Sequence, residues 1–157
     1  MTVLRNFIHM AKKLISEVFE YAAKLKTKEE KKKFLLANSS LPLRDIIKGG
    51  FDESIKFNIP DGTPPYTKDD APIGHQPSTL YNQTRKFKYF VKGGIGDRIL
   101  PARREKMFID LLESIHSNEA DLVIAMKDKK LKGKYSGITK KLCAETFPSL
   151  FPEENKQ

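Results

Sequence analysis

The clearest helical pattern in the sequence lies in residues 101–129, PARREKMFIDLLESIHSNEADLVIAMKDK. Pro101 stands at the start of a predicted helix, where proline is tolerated, and the helix runs over residues 102–115 because apolar residues recur there every three or four positions. Ser117 or Asn118 then caps a second helix over residues 120–129. So short a turn predicts an antiparallel helical hairpin. The apolar side chains expected to pack across it are Phe108, Leu111, Leu112, Leu122, Val123 and Met126.

The same spacing predicts helices on both sides of this hairpin. Thr27 with Glu30 three residues later is a capping-box pattern, and Pro42 with Gly49-Gly50 predicts the start and stop of a helix over residues 41–48. No stretch alternates as a strand would. We therefore expect an all-α protein with six or seven helices in one compact domain. The remaining predicted helices cover residues 3–25, 28–38, 80–91 and 138–147.

Residues 51–80 differ from the rest of the sequence in their proline content. Five prolines lie there: Pro60, Pro64, Pro65, Pro72 and Pro77. Proline removes backbone donors and fixes φ, so neither a helix nor a central strand fits. We expect a long, extended proline-rich arm lying over the helices, pinned by Phe57, Ile59 and Tyr66. A boundary between two small helical units is the alternative. The predicted organisation is residues 1–50 as N-terminal helices, 51–80 as the arm, 81–151 as a C-terminal helical unit packed with the first, and 152–157 as a frayed tail.

Composition restricts the compartment and the partners. The 157 residues carry a net charge of +9. They include a single cysteine, and this count excludes a disulfide framework and a multi-cysteine zinc site. No apolar run approaches the roughly 18 residues of a membrane span, and the N-terminus does not resemble a secretory signal. We expect a reducing cytosolic setting with no membrane partner, and the oligomeric state stays open.

The basic charge is concentrated in blocks. Residues 85–106 hold eight basic and two acidic residues, and residues 127–141 hold seven lysines and one aspartate. Between them, residues 107–126 contain four acids and no lysine or arginine. If the basic blocks converge, they form a face that attracts a polyanion such as nucleic acid, with the acidic stretch from Asp110 to Asp121 pointing away. The alternatives are solvated lysine faces or an acidic protein partner.

Catalytic motifs are scarce. The loop over residues 92–98 contains Gly-Gly-x-Gly-Asp, which resembles a phosphate cradle but is better explained as a helix stop and turn. Cys143 lies within a predicted helix, the setting of a buried, inert thiol. His116 ends an apolar helix, where an imidazolium would favour the C-terminal dipole. We therefore expect no enzyme activity, no catalytic residue, no metal and no cofactor.

Two stretches offer nucleic-acid chemistry. In residues 81–92 basic residues alternate with aromatic rings, so cations can contact phosphates while Phe87 and Phe90 either stack on bases or belong to the core. Residues 127–141 form a flexible lysine loop that could follow a phosphate backbone. The candidate nucleic-acid-binding residues are Arg85, Lys86, Lys88, Lys92, Arg103, Arg104, Lys127, Lys129, Lys130, Lys132, Lys134, Lys140 and Lys141.

Five strings together resemble a known family. They are EVFEYAAKLKTKEE (17–30), LRDIIKGGFD (43–52), PDGTPPY (60–66), RREKMFIDLLESIH (103–116) and LCAETFP (142–148). They are similar to small, uncharacterised proteins encoded by T4-like tailed phages, including phages of marine bacteria. The resemblance covers roughly residues 15–151, with Ser149 standing where a glycine is expected. It implies an accessory protein acting in the host cytoplasm or carried in the virion, and it assigns no catalytic residues.

The leading hypothesis is a non-enzymatic phage accessory protein that binds nucleic acid, or a nucleoprotein complex, through a basic face. The second is a protein-interaction module that binds a host or phage protein, for host takeover, anti-defence or virion assembly. In that case the arm is the contact, with Pro64, Pro65 and Tyr66 as candidate partner-binding residues, because a pre-extended segment loses little entropy on docking. A third option is an enzyme whose site is assembled from distant residues.

Overall fold

The structure, a computed structural model, describes residues 13–152. Within this range no strand occurs, and the only β pairing consists of two isolated bridges, Phe57 with Val91 and Asp69 with His116. The predicted all-α class is confirmed. The α-helices are α1 (Ile15–Lys24), α2 (Lys28–Ala37), α3 (Leu41–Phe51), α4 (Leu80–Gln83), α5 (Pro101–Glu113), α6 (Ser117–Lys127), α7 (Leu131–Lys134) and α8 (Lys140–Thr146). Short 3-10 helices span Thr84–Tyr89, Ile95–Arg98 and Pro148–Leu150.

The helical hairpin forms as predicted from α5 and α6. All six of its predicted contact residues are buried, among them Leu111 on α5 and Leu122 on α6. The cap between the two helices differs from the prediction. His116, not Ser117 or Asn118, precedes α6, and its Nδ1 accepts a hydrogen bond from the Asn118 N–H at 3.0 Å. His116 therefore caps the start of α6 and not, as expected, the end of α5, which lies at Glu113.

Helix α3 continues through the two glycines that were expected to end it. Gly49 and Gly50 lie in its last turns, and α3 ends at Phe51. A Cβ on Gly50 would overlap the Leu131 side chain, and one on Gly49 would come within 3.0 Å of Met126 Sδ. The glycines are thus required by the close approach of α3 to α6 and α7, and this tertiary contact offsets their poor helix propensity.

The first helix is shorter than its periodicity suggested. Leu14 is extended (φ −63°, ψ 153°), so α1 begins at Ile15 and the helix predicted over residues 3–25 is not continuous. The part of that prediction over residues 3–12 lies outside the described residues. The predicted cap at Thr27 is confirmed, since its Oγ1 accepts from the Glu30 N–H at 3.1 Å. Ser40 caps α3 in the same way, with its Oγ accepting from the Leu43 N–H at 3.2 Å.

Three further segments depart from their predicted form. The helix expected over residues 80–91 changes after Gln83 into the 3-10 helix Thr84–Tyr89. The lysine loop contains a full helical turn, α7, before Gly137 takes up a left-handed φ of 83°. The last helix begins at Lys140, with Thr139 as its cap, and not at Ile138. Of the tail predicted as frayed, the structure describes Pro152 alone.

Residues 52–79 contain no helix and lie against the helical core. Asn58 N–H donates to Phe90 O at 2.6 Å, Thr67 N–H to Glu113 Oε2 at 2.6 Å, and Ser78 N–H to Ser114 O at 2.8 Å. Ile59 belongs to the same buried apolar cluster as residues of α1, α3, α5, α6 and α8, and Phe57 and Tyr66 pack against that cluster. This segment therefore shares a core with the helices that precede and follow it.

Candidate nucleic-acid interface

Four predicted cations lie on or just after the 3-10 helix Thr84–Tyr89. The side chains of Arg85, Lys86, Lys88 and Lys92 are exposed, and none forms an ion pair with another residue in the range 13–152. Residues three apart are eclipsed on a 3-10 helix, which brings Arg85 and Lys88 to one side. We call these four residues the basic strip, and its charge is available to an anion.

The phenylalanine rings of the same stretch are buried in the hydrophobic core. Phe87 is 8% exposed and Phe90 is fully buried, with its ring edge-on to that of Phe108 at a centroid distance of 5.3 Å. Neither ring can stack on a base. Tyr81 is half-buried, and its hydroxyl donates to Lys13 O at 2.7 Å. Burial, with the nearby charges of Glu119 and Glu17, raises the pKa of Tyr81 to about 12.

Arg104 does not belong to the interface, because it is buried and fully engaged inside the fold. Its Nε donates to Asn58 O at 2.9 Å, and its Nη1 donates to Ile99 O at 2.8 Å and to Gly96 O at 3.1 Å. The guanidinium thus fastens the non-helical segment and the turn before α5 to the helix itself. We withdraw Arg104 from the predicted binding residues.

Lys127 and Lys129 are engaged in the same way. Lys127 Nζ donates to Pro60 O at 2.9 Å and Gly62 O at 3.1 Å, and it pairs with Asp128 in a buried ion pair. Lys129 Nζ donates to Gly49 O, in the last turn of α3, and to Asp52 O, just after that helix. Burial lowers the pKa of Lys129, while nearby carboxylates oppose the shift. Lys127 is buried and so cannot contact a nucleic acid, whereas Lys129 is exposed and stays a predicted contact residue.

The remaining candidate cations lie outside the basic strip. Arg103, Lys130, Lys132, Lys134 and Lys141 are exposed, and Lys140 is half-buried. Lys130 and Lys134 line a cavity together with Asp121 and Asp128. Asp121 therefore lies beside these two lysines, contrary to the expectation that the whole stretch from Asp110 to Asp121 points away from the basic face.

The glycine-rich loop over residues 92–98 does not present an open phosphate cradle. Gly93 N–H donates to the carboxylate of Asp97 at 2.8 Å. The Gly93 N–H, which a bound anion would need as a donor, is thus already bonded to a carboxylate of the protein. The interpretation of this loop as a turn agrees with the structure, because Gly93 has a φ of 86° that other residues rarely adopt.

Cys143 is a buried thiol, as predicted, and burial raises its pKa to about 12. Among residues 13–152 there is no group of three or more His, Cys, Asp or Glu side chains placed to hold a metal ion. No helix in the same range is both long enough and apolar enough to span a membrane.

The fold and this surface define an all-helical protein with a strip of unpaired cations. Residues 18–133 match a family of unknown function, DUF6433, and the chain belongs to that family. The match includes the basic strip and ends before α8, where Cys143 lies. No curated protein and no solved structure shows detectable similarity to the chain.

Proposed function

We propose that this protein is a non-enzymatic phage accessory protein that binds nucleic acid, or a nucleoprotein complex, in the host cytoplasm. The observation that carries the proposal is the basic strip. Arg85, Lys86, Lys88 and Lys92 form four exposed cations within eight residues, and none of them is neutralised by a described carboxylate. An anionic polymer supplies the missing counter-charge.

The contrast with the other cations strengthens this proposal. Arg104, Lys127 and Lys129 hold backbone carbonyls, so their charge has a structural use. In the basic strip only Arg85 makes such a contact, from Nε to Asn82 O at 2.9 Å, and the side chains of Lys86, Lys88 and Lys92 make no hydrogen bond within residues 13–152. Surface cations that neither pair nor cap are the groups that neutralise phosphates and release counterions.

Binding of this kind depends on salt and varies little with sequence, because phosphate contacts position a protein without reading bases. The test is fluorescence anisotropy of labelled DNA and RNA of random sequence between about 50 and 200 mM salt. The proposal predicts an affinity that falls steeply over this range. An absence of salt-sensitive binding to either polymer would overturn it.

A second candidate function is supported by a groove of about 370 Å³ between the segment 59–65 and α5. Pro64 and Pro65 line this groove, opposite Phe108 and Ile109 of α5. Tyr66 is half-buried, and its hydroxyl is buried with no hydrogen-bond partner among the described residues. An apolar groove with prolines on one wall suits a peptide segment of a host or phage protein.

Affinity capture from infected cells, with and without nuclease, separates the two candidates. Protein contacts through the groove predict partners that remain after nuclease treatment and are absent with Ile109→Asp. Nucleic-acid contacts predict partners that nuclease removes. If nuclease-resistant partners are unaffected by Ile109→Asp, the groove is not their binding site.

A further inference from the structure

A cleft of about 300 Å³ lies between α3 and the basic strip, and nothing above assigns a role to it. Apolar side chains form much of its lining, among them Ile55, Phe57 and Val91. The bridge between Phe57 and Val91 fixes this wall, since Asn58 N–H donates to Phe90 O at 2.6 Å and Lys92 N–H to Lys56 O at 2.8 Å. The cleft is therefore held by backbone pairing and does not depend on side-chain packing alone.

Three cations line the same cleft, and two of them are unpaired. Lys48 Nζ pairs with Asp52 at 2.6 Å and donates to Leu150 O at 2.5 Å, so its charge is already used. Arg85 and Lys88 line the cleft from the basic strip and form no ion pair with a described residue. An anionic group bound at the cleft would meet these two side chains.

The cleft also contains a carboxylate without a partner. Asp45 of α3 lines it and is half-buried, yet it makes no hydrogen bond and no ion pair within residues 13–152. Burial raises the pKa of this carboxyl, while the charge of Arg44 opposes the shift. The Asp45 carboxylate therefore offers the cleft a hydrogen-bond acceptor that no described protein donor occupies.

We propose that this cleft binds one unpaired nucleotide unit, with the base against Phe57 and Val91, its N–H groups donating to Asp45, and its phosphate held by Arg85 and Lys88. The volume is at the lower end of small-molecule sites, so the cleft accepts a single base with its phosphate and not a paired duplex. The inference rests on the proposed function and names its substrate: a strand with an unpaired base. A free nucleotide has the same chemistry, and the experiment separates the two sources.

The test uses defined probes on the full chain. Methyl NMR spectra are recorded while dCMP, ribose 5-phosphate or inorganic pyrophosphate is added. The proposal predicts that dCMP shifts the Ile55 and Val91 methyl signals and that ribose 5-phosphate does not, because it has no base. Asp45→Asn should weaken dCMP binding by about tenfold, the equivalent of one charge-assisted hydrogen bond, without weakening pyrophosphate binding. Asp70→Asn, an exposed carboxylate outside the cleft, is the matched control.

A second arm compares a single-stranded oligonucleotide with the same oligonucleotide made abasic. The proposal predicts weaker binding of the abasic strand, and a smaller difference between the two strands in Asp45→Asn. Equal binding of both strands by the wild type overturns the cleft inference and leaves phosphate binding by the basic strip intact. Binding of dCMP without salt-sensitive binding of any strand overturns the proposed function instead, since the cleft would then take free nucleotides.

Discussion

The buried carboxylate of Glu119 on α6 accepts a hydrogen bond from the Leu80 N–H at 3.2 Å, at the first residue of α4. Its other oxygen accepts from the Ile15 N–H at 3.1 Å, at the first residue of α1. The cap residues Leu14 and Thr79 supply no side-chain hydrogen bond to these helices. A single acidic residue thus caps two helices from a third and fixes the start of the segment that leads into the basic strip.

Glu119→Ala should destabilise the fold by about 3 kcal/mol, because it leaves two buried backbone donors without an acceptor. The free energy of unfolding from urea denaturation measures this effect. Glu20→Ala is the control, since Glu20 is exposed and makes no hydrogen bond in the described range, and it should change stability by less than about 0.5 kcal/mol. Similar values for the two variants would show that Glu119 is not a cap.

Leu111→Ala should cost about 2–5 kcal/mol of unfolding free energy, because Leu111 is 1% exposed at the centre of the α5–α6 hairpin. Thermal or urea denaturation gives the value. A decrease below about 0.5 kcal/mol, the level of a surface change, would contradict the packing described for this hairpin.

Gly50→Ala should destabilise the protein, because the new methyl group would overlap Leu131 across the contact of α3 with α7. Gly133→Ala is the matched control. Gly133 lies within α7 with no atom near its Cβ position, so alanine there should raise stability by up to about 1 kcal/mol through helix propensity. We therefore expect the unfolding free energy to fall in Gly50→Ala and to rise in Gly133→Ala. Urea denaturation of both variants measures the two changes.

Asp52 gives a pH-dependent prediction. Burial acts to raise its pKa, but hydrogen bonds from Lys48 and Ser54 outweigh that effect and lower the pKa from 3.8 to about 2. A carboxyl with a lowered pKa stabilises the fold above the unfolded pKa and loses that contribution as pH falls through the folded pKa. Asp52→Asn should therefore be less stable than the wild type at neutral pH, and the difference should shrink as pH falls from 3.8 towards about 2. Denaturation curves at several pH values test this, and a difference that grows on acidification would contradict it.

The sequence was sufficient for the helical class and the α5–α6 hairpin, because their apolar residues repeat at 3.6-residue spacing. It was insufficient where tertiary contacts override local preference. Gly49 and Gly50 continue a helix because Met126 and Leu131 pack against them. His116 caps the helix that follows it and not the one before it.

The interface was harder to predict for a related reason. Arg104 looks like any surface arginine in the sequence, yet its guanidinium reaches carbonyls at Asn58, Gly96 and Ile99. Only the folded path of residues 52–79 brings acceptors such as Asn58 O within its reach. Charge counting therefore overestimates the binding surface wherever a cation satisfies buried carbonyls. Long-range capping by Glu119 is equally invisible, since its partners are 104 and 39 residues away.

The salt dependence of nucleic-acid binding by a charge-neutralised variant tests whether the basic strip contacts phosphates. The variant Arg85→Gln, Lys86→Gln, Lys88→Gln, Lys92→Gln should keep its helical circular dichroism, because exposed charges contribute little to stability. The control replaces four exposed lysines elsewhere by glutamine: Lys24, Lys26, Lys33 and Lys68.

Both variants lose the same charge, so a difference between them reports position and not net charge. The slope of log affinity against log salt should become shallower by about 3 in the strip variant and change little in the control. The magnitude follows from roughly 0.7–0.9 for each phosphate that the variant no longer neutralises. Equal slopes for the two variants would contradict the account.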